Sequence, residues 1–327
     1  MADGATSLSA LKLATPARYR APGDRFFKVV VLVLSASVIL LAVAMGVVIW
    51  LEASPSFAEF GYLNFLTETT WDPVAAIHGT LPFIFGTLIT SFGALVLSVL
   101  PALAIAIFVS EYAPKWLANI INYTVDLLAA IPSVVVGLWG IFVLAPYLRD
   151  ALYIPIYNWA LSSADWLIPV LGTPSTFNLA TGTIVLALMI TPYTVALSRD
   201  AIRLVPREQR EAAWALGSTR WEVMRVAVLP YARSGILAGI LLSLARGLGE
   251  TMAIAMLIGN RNRMPFTLFG PAATMPSLII NEFREAVEPL HYTSIMAVGF
   301  YLFILTIGIN LIASFIQTKL TQQRKSV

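Results

Sequence analysis

The chain has 327 residues, of which 58% are hydrophobic and only 12% charged, half the share of about 25% carried by soluble domains; this argues against a soluble globular protein. It has no cysteine, which excludes disulfides, thiolate metal sites and cysteine nucleophiles, and its two histidines, His78 and His291, are far apart, which argues against a histidine-rich metal site. The small net charge of +3 reflects basic residues gathered where membrane topology demands them and implies no nucleic-acid partner.

Apolar runs long enough to cross a roughly 30 Å hydrocarbon core predict an all-α polytopic membrane protein with six spans, at 27–50, 81–110, 118–146, 178–199, 232–259 and 292–317. A polar tail, 1–26, precedes the membrane domain, 27–327. The first apolar run, Val29–Trp50, follows Arg18, Arg20, Arg25 and Lys28. It exceeds the 7–15 residues of a signal-peptide core and reads as an uncleaved span. Pro82, Pro101 and Pro132 predict tilts or kinks in the second and third spans. Short interfacial helices are expected after spans 1, 3 and 5, with Trp71, Trp159 and Trp166 at the interface. The segment 147–177 reads as an outer loop.

Sixteen of the Lys and Arg residues fall on one side of this arrangement, and four, Arg149, Arg261, Arg263 and Arg284, fall on the other. The asymmetry places both termini in the cytoplasm and requires an even number of spans. No internal repeat is visible, which weighs against the inverted-repeat plan of secondary carriers.

The largest basic loop, 200–230, has strong local signals. Pro206 suits the first turn of a helix, Glu208 and Glu211 complement its N-terminal dipole, and Gly217 suits a left-handed stop. Thr219 with Glu222 forms a capping box for a second short helix. The order Glu211-Ala212-Ala213, Gly217, Leu229-Pro230 resembles the EAA loop of ABC importer permeases, a coupling helix that docks on a cytoplasmic ATPase. None of the five lysines follows a glycine, so the chain lacks a phosphate-cradling P-loop. An ATPase that serves it must be a separate chain.

Within span 5 lies Ala245-Arg246-Gly247-Leu248-Gly249-Glu250-Thr251. Counted from the cytoplasmic start of the span, Arg246 lies about 21 Å deep, with Glu250 one turn beyond it on the same face. An arginine at that depth costs roughly 2.5–3.5 kcal/mol and marks either a structural pair or a pathway. Its guanidinium can fork onto two oxygens of an oxyanion, and Gly247 and Gly249 leave room beside it. HPO4²⁻ can also donate its proton to a carboxylate, whereas sulfate cannot, so Arg246 with Glu250 favours phosphate.

Several further segments resemble phosphate ABC-transporter permeases of the PstC type. They are Gly79-Thr-Leu-Pro82 with Gly86-Thr87-Leu88, Ser110-Glu111-Tyr112-Ala113-Pro114, Ile131-Pro132-Ser133 through Gly140, Arg246-x-x-Gly249-Glu250-Thr251, and Pro289-Leu290-His291-Tyr292. Asp126 departs from the pattern by standing where a glutamate is expected. The resemblance implies a type I (MetI-like) importer fold with an EAA coupling loop over 200–230, in a bacterial inner membrane. It also implies a PstA-type sister permease, a PstB-type ATPase dimer carrying the ATP and Mg, and a periplasmic PstS-type phosphate-binding protein. No cofactor is expected in this chain. Arg246, Glu250 and Thr251 are implied to line the substrate pathway, and Glu211, Ala212, Ala213, Gly217, Leu229 and Pro230 to couple it to the ATPase. A sulfate or molybdate permease would share the fold, and a secondary anion carrier would dispense with the ATPase. His291 reads as an interfacial packing residue, and Thr87 and Asn310 as helix–helix hydrogen-bonding positions.

Overall fold

The computed structural model describes residues 22–322. Most of the expected tail, 1–26, therefore lies outside the described residues, as do Arg324 and Lys325. Six helices are long and apolar enough to cross a membrane. In chain order, the elements are α1 (Pro22–Phe60), α2 (Tyr62–Thr67), a two-stranded antiparallel hairpin of β1 (Trp71–Asp72) and β2 (Ile77–His78), α3 (Leu81–Tyr112), α4 (Lys115–Ala130) and α5 (Ser133–Ser163). Then come α6 (Leu179–Arg203), α7 (Arg207–Ala215), α8 (Arg220–Leu248), α9 (Met252–Leu257), α10 (Met275–Glu282) and α11 (Pro289–Gln322). Residues up to Val48 form one unit and those from Ile49 onward another. In the first unit, α1 has no charged residue from Val29 to Val48.

Spans 1, 2, 4 and 6 match the apolar runs, whereas spans 3 and 5 are broken. The expected third span, 118–146, is two helices separated at Ile131–Pro132. A proline disfavours helical geometry in the residue before it; Ile131 is extended, at φ −65°, ψ 128°. The two pieces still run antiparallel to α6 along its length. Arg199 Nη1 donates to Asn122 at 2.8 Å, Tyr193 Oη donates to the Ala129 carbonyl at 2.7 Å, and Tyr153 Oη meets Thr181 Oγ1 at 3.1 Å. Those contacts cover residues 181–199 of α6, about 27 Å at 1.5 Å per residue. The helix continues to Ser163, so the first part of the expected outer loop, 147–177, is helical.

Prolines explain the other irregularities. Among the described residues there are four π-helical turns, Phe108–Tyr112, Gly140–Leu144, Arg149–Tyr153 and Met224–Val228. Each ends two residues before a proline: Pro114, Pro146, Pro155 and Pro230. Where the helix continues, at Pro146, Pro155 and Pro230, the ring crowds the carbonyl four residues back and supplies no N–H, and a turn widened to i→i+5 bonding accommodates both; at Phe108–Tyr112 the helix instead ends, with Ala113 extended at ψ 137°.

Small residues set the closest crossings. A Cβ on Gly235 would meet Ala201 Cβ at 2.6 Å, and one on Gly239 would meet Leu197 Cβ at 2.7 Å, so α8 presses its backbone against α6 through a Gly-x-x-x-Gly face. Thr194 Oγ1 donates to Ser243 Oγ across the same contact at 2.8 Å. At the other end of α6, Gly86 brings α3 against the Ala273 carbonyl, and Thr87 Oγ1 accepts the Met275 N–H at 2.9 Å. Thr87 thus makes the structural hydrogen bond expected of it, while Asn310 is exposed.

The cap at the N-terminal end of α11 joins parts of the chain far apart in sequence. Trp71 is buried rather than interfacial, and its Nε1 donates to Glu282 Oε2 at 2.7 Å. His291 Nε2 shares that oxygen at 2.9 Å, and Asn262 Nδ2 donates to Oε1 at 2.7 Å. His78 stacks on His291 with ring centroids 5.7 Å apart, and neither of its buried ring nitrogens has a hydrogen-bond partner. The two histidines, 213 positions apart, are therefore neighbours. Among the described residues, no group of three or more potential ligands is arranged to hold a metal ion.

Burial first, and the adjacent His291 second, push the pKa of His78 down from 6.5 to about 4, against the opposing pull of Glu282 and Asp72. Between those values the unfolded chain takes up a proton at His78 that the folded chain refuses. Stability from the cap is therefore complete above pH 6.5 and drains as the pH falls toward 4. Protection factors of amides 62–80, corrected for the intrinsic slowing of exchange in acid, should fall as the pH drops through that window in the wild type, and His78→Phe should flatten the trend; an equally steep fall in the variant would contradict this. Gly86→Ala should cost about 1–3 kcal/mol or more through overpacking, whereas Gly308→Ala, with nothing within 4 Å of the added Cβ, should leave the melting temperature unchanged. Equal melting temperatures for the two variants would refute the close crossing.

Candidate substrate pathway and coupling site

The loop between α6 and α8 folds as its local chemistry dictates. Pro206 stands at the N-cap of α7, one position ahead of the expected first turn. Gly217 has φ +81°; its N–H bonds the Trp214 carbonyl at 2.9 Å, and the Ser218 N–H bonds that of Ala213 at 3.3 Å. This paired closure is a Schellman stop. A Cβ at Gly217 would meet nothing within 4 Å, so the glycine serves backbone conformation and not space. Thr219 and Glu222 form the capping box, with Glu222 Oε2 accepting the Thr219 N–H at 2.7 Å.

The second short helix is not separate. It continues through the π turn at 224–228 into the fifth span, so α8 is one helix from Arg220 to Leu248. Leu229 and Pro230 lie inside it, where Pro230 accounts for the widened turn. On α7, Ala213 packs into the buried cluster formed by the ends of α3, α6 and α8. Glu211, Ala212, Trp214, Ala215 and Leu216 are exposed. Trp214 is 50%, Leu216 87% and Trp221 57% exposed, giving this end an apolar knob that the other described residues do not cover.

At the other end of α8, the expected continuous span 232–259 stops. The helix ends at Leu248, Gly249–Thr251 are non-helical, and α9 starts at Met252. Glu250 is therefore not one helical turn above Arg246. Among the described residues, no ion pair links the two. Glu250 Oε1 instead accepts the Ala253 N–H at 3.3 Å, capping α9. Thr251 Oγ1 donates to the Gly249 carbonyl at 3.2 Å.

Arg246 sits in the last turn of α8, where a cation complements the helix dipole. Its guanidinium carbon lies 4.2 Å from the centre of the Tyr193 ring, a cation–π contact. Tyr193 is ten positions from Arg203, the end of α6, or about 15 Å along the helix. The hydroxyl of the same Tyr193 satisfies the Ala129 carbonyl beside the Pro132 break. The two breaks thus meet at Arg246. Gly137 brings α5 against α9, where a Cβ would lie 3.3 Å from Ala253 Cα and 2.6 Å from Met256 Sδ.

Among the described residues, Arg246 is the one charged residue lining a cavity of about 480 Å³, whose other walls include Leu128, Ile131, Val135, Trp139 and Leu188. Thr251 lines a different cavity of about 460 Å³, with Arg284 and Phe283. Of the three residues assigned to the pathway, only Arg246 lines the first of these cavities. Tyr193 escaped sequence reasoning because nothing in its own neighbourhood marks it; only the fold brings it under the guanidinium.

Comparison with known proteins agrees with this architecture. Residues 102–326 match the family model described as "Binding-protein-dependent transport system inner membrane component". The chain is 39% identical to the phosphate transport system permease protein PstC of Pasteurella multocida, over 86% of this chain and 85% of that one. It is 40% identical to PstC of Mesorhizobium japonicum over 86% of each chain, and 37% identical to PstC 2 of Mycobacterium tuberculosis over 88% and 90%. Among solved structures, a bacterial alginate ABC transporter in complex with its pentasaccharide-bound periplasmic protein matches at TM-score 0.59 and 16% identity, covering 91% of this chain and 96% of that one. The MetNI methionine transporter matches at TM-score 0.55 and 16% identity, covering 77% and 99%; at these identities both establish the fold alone. With six membrane-length helices and the EAA loop in place, the chain belongs to the binding-protein-dependent ABC importer permeases, in the PstC-type phosphate permease family.

Proposed function

We propose that the chain is the PstC-type subunit of an importer in a bacterial inner membrane, that it passes inorganic phosphate inward by alternating access, and that Arg246 is its transient anion station. The observation that carries this reading is a guanidinium with no carboxylate partner among the described residues, held over Tyr193 in an otherwise apolar cavity where two helices break. A cation so placed attracts an oxyanion, while the apolar walls make no strong hold on it, so release is easy.

The remaining roles are supported by the likeness to PstC relatives. A sister permease of the PstA type would close the open side of the cavity. A PstB-type ATPase dimer, carrying ATP and Mg, would receive the exposed face of α7, with Glu211, Ala212 and Ala213 at the contact and Gly217 fixing its end. A PstS-type protein would deliver phosphate from the periplasmic side. The chain would make and break no bond in its cargo and would need no cofactor of its own. Because α8 joins the coupling loop to the Arg246 turn without interruption over 26 residues, about 39 Å, displacement of one end moves the other, with Leu229-Pro230 and its widened turn as the bend. Thr251 would line the path beyond the break. Glu250 keeps one carboxylate oxygen free of the α9 cap, able to accept a proton from HPO4²⁻ but repelling sulfate.

Cells lacking the gene, and any redundant importer, should lose labelled phosphate uptake at micromolar concentration and retain sulfate uptake. Wild type should restore it, and Arg246→Gln at equal membrane level should not. Glu250→Gln should cut the phosphate-over-sulfate preference at least tenfold. Unchanged phosphate uptake on deletion would overturn the substrate, and an intact preference in Glu250→Gln would overturn the role of the carboxylate.

A further inference from the structure

Glu111 closes the second span in a segment, Ser110-Glu111-Tyr112-Ala113-Pro114, to which neither the pathway nor the coupling loop assigns a task. It lies in the π turn that closes α3, just ahead of the extended Ala113. The Glu111 carboxylate meets the coupling helix: Glu111 Oε1 lies 2.6 Å from Arg210 Nη1, with the two side chains 17% and 18% exposed. The second arm of the same guanidinium, Arg210 Nη2, donates to the Ile202 carbonyl near the end of α6 at 2.9 Å.

Helix α7 has no fully buried residue. Apart from Ala213 in the shared apolar cluster, Arg210 is its principal tie to the spans. One guanidinium therefore holds α7 to α3 by an ion pair and to α6 by a hydrogen bond, while α8 is joined to it through the Gly217 turn. We propose that Arg210 and Glu111 are positioning residues that transmit movement of α7 to the second and fourth spans. Deep pairing makes the link obligatory, because removing either partner strands a partly buried charge on the other. A lysine is a poor replacement, since it cannot bond a carboxylate and a carbonyl through a rigid planar fork.

This inference rests on the importer reading. The test is phosphate transported per ATP hydrolysed by the complete transporter in vesicles with its binding protein. Arg210→Glu and Glu111→Arg should each lower that ratio at least tenfold while ATP hydrolysis persists. The exchanged pair, Arg210→Glu with Glu111→Arg, should recover a substantial part of it, and Arg210→Lys should fall between. An unchanged ratio in both single variants, or no recovery by the exchange, would overturn the proposal. If the single variants do not accumulate, an unchanged ratio in Arg210→Lys overturns it alone. Absence of ATP-driven phosphate uptake by the wild-type complex would instead overturn the importer reading, and this inference with it.

Discussion

An arginine among membrane spans costs roughly 2.5–3.5 kcal/mol on insertion scales, and no carboxylate among the described residues offsets that cost at Arg246. Its surroundings compensate in another way. The helix dipole at the end of α8 favours a cation there, and the Tyr193 ring offers its face at 4.2 Å. The rest of the region is arranged around this charge. Backbone that departs from helical form at membrane depth is tolerated only where it is buried in protein or lines a cavity. Both departures here, at Ile131–Pro132 and Gly249–Thr251, fall beside Arg246. Tyr193 serves both, since its ring holds the guanidinium and its hydroxyl satisfies the carbonyl released by the proline break.

A second constraint lies at the other end of α8. The loop between α6 and α8 is short, capped at both helices and continuous with α8, as the proposed lever requires. Prolines set where the lever and its neighbours bend. Four widened turns each end two residues before a proline, and one of them carries Glu111, which meets Arg210.

Legibility in the sequence tracks the range of the interactions. The Gly217 stop and the Thr219–Glu222 box depend on residues within five positions of each other, and both are found as read. Four spans are set directly by apolar run length. Spans 3 and 5 differ because hydropathy averages over a window and cannot see a two-residue break; Pro132 announces a kink, but Gly249 reads equally well as a packing glycine. The helical pairing of Arg246 with Glu250 fails for the same reason, since i,i+4 spacing places two residues together only while the helix lasts. Contacts across the chain were not legible at all: His78 with His291, Trp71 with Glu282 and Arg210 with Glu111 depend on how the elements pack.

In the proposed cycle, anion occupies the cavity beside Arg246 and the cavity changes access as ATP is bound and hydrolysed. Because the chain has no cysteine, one introduced at Leu188, a half-exposed wall of that cavity, reports on it alone. In the reconstituted transporter, the rate at which a charged thiol reagent modifies Leu188→Cys should change with the nucleotide state. Phosphate should slow it when Arg246 is present and not in the Arg246→Gln background. A modification rate indifferent to nucleotide and to phosphate would contradict the account.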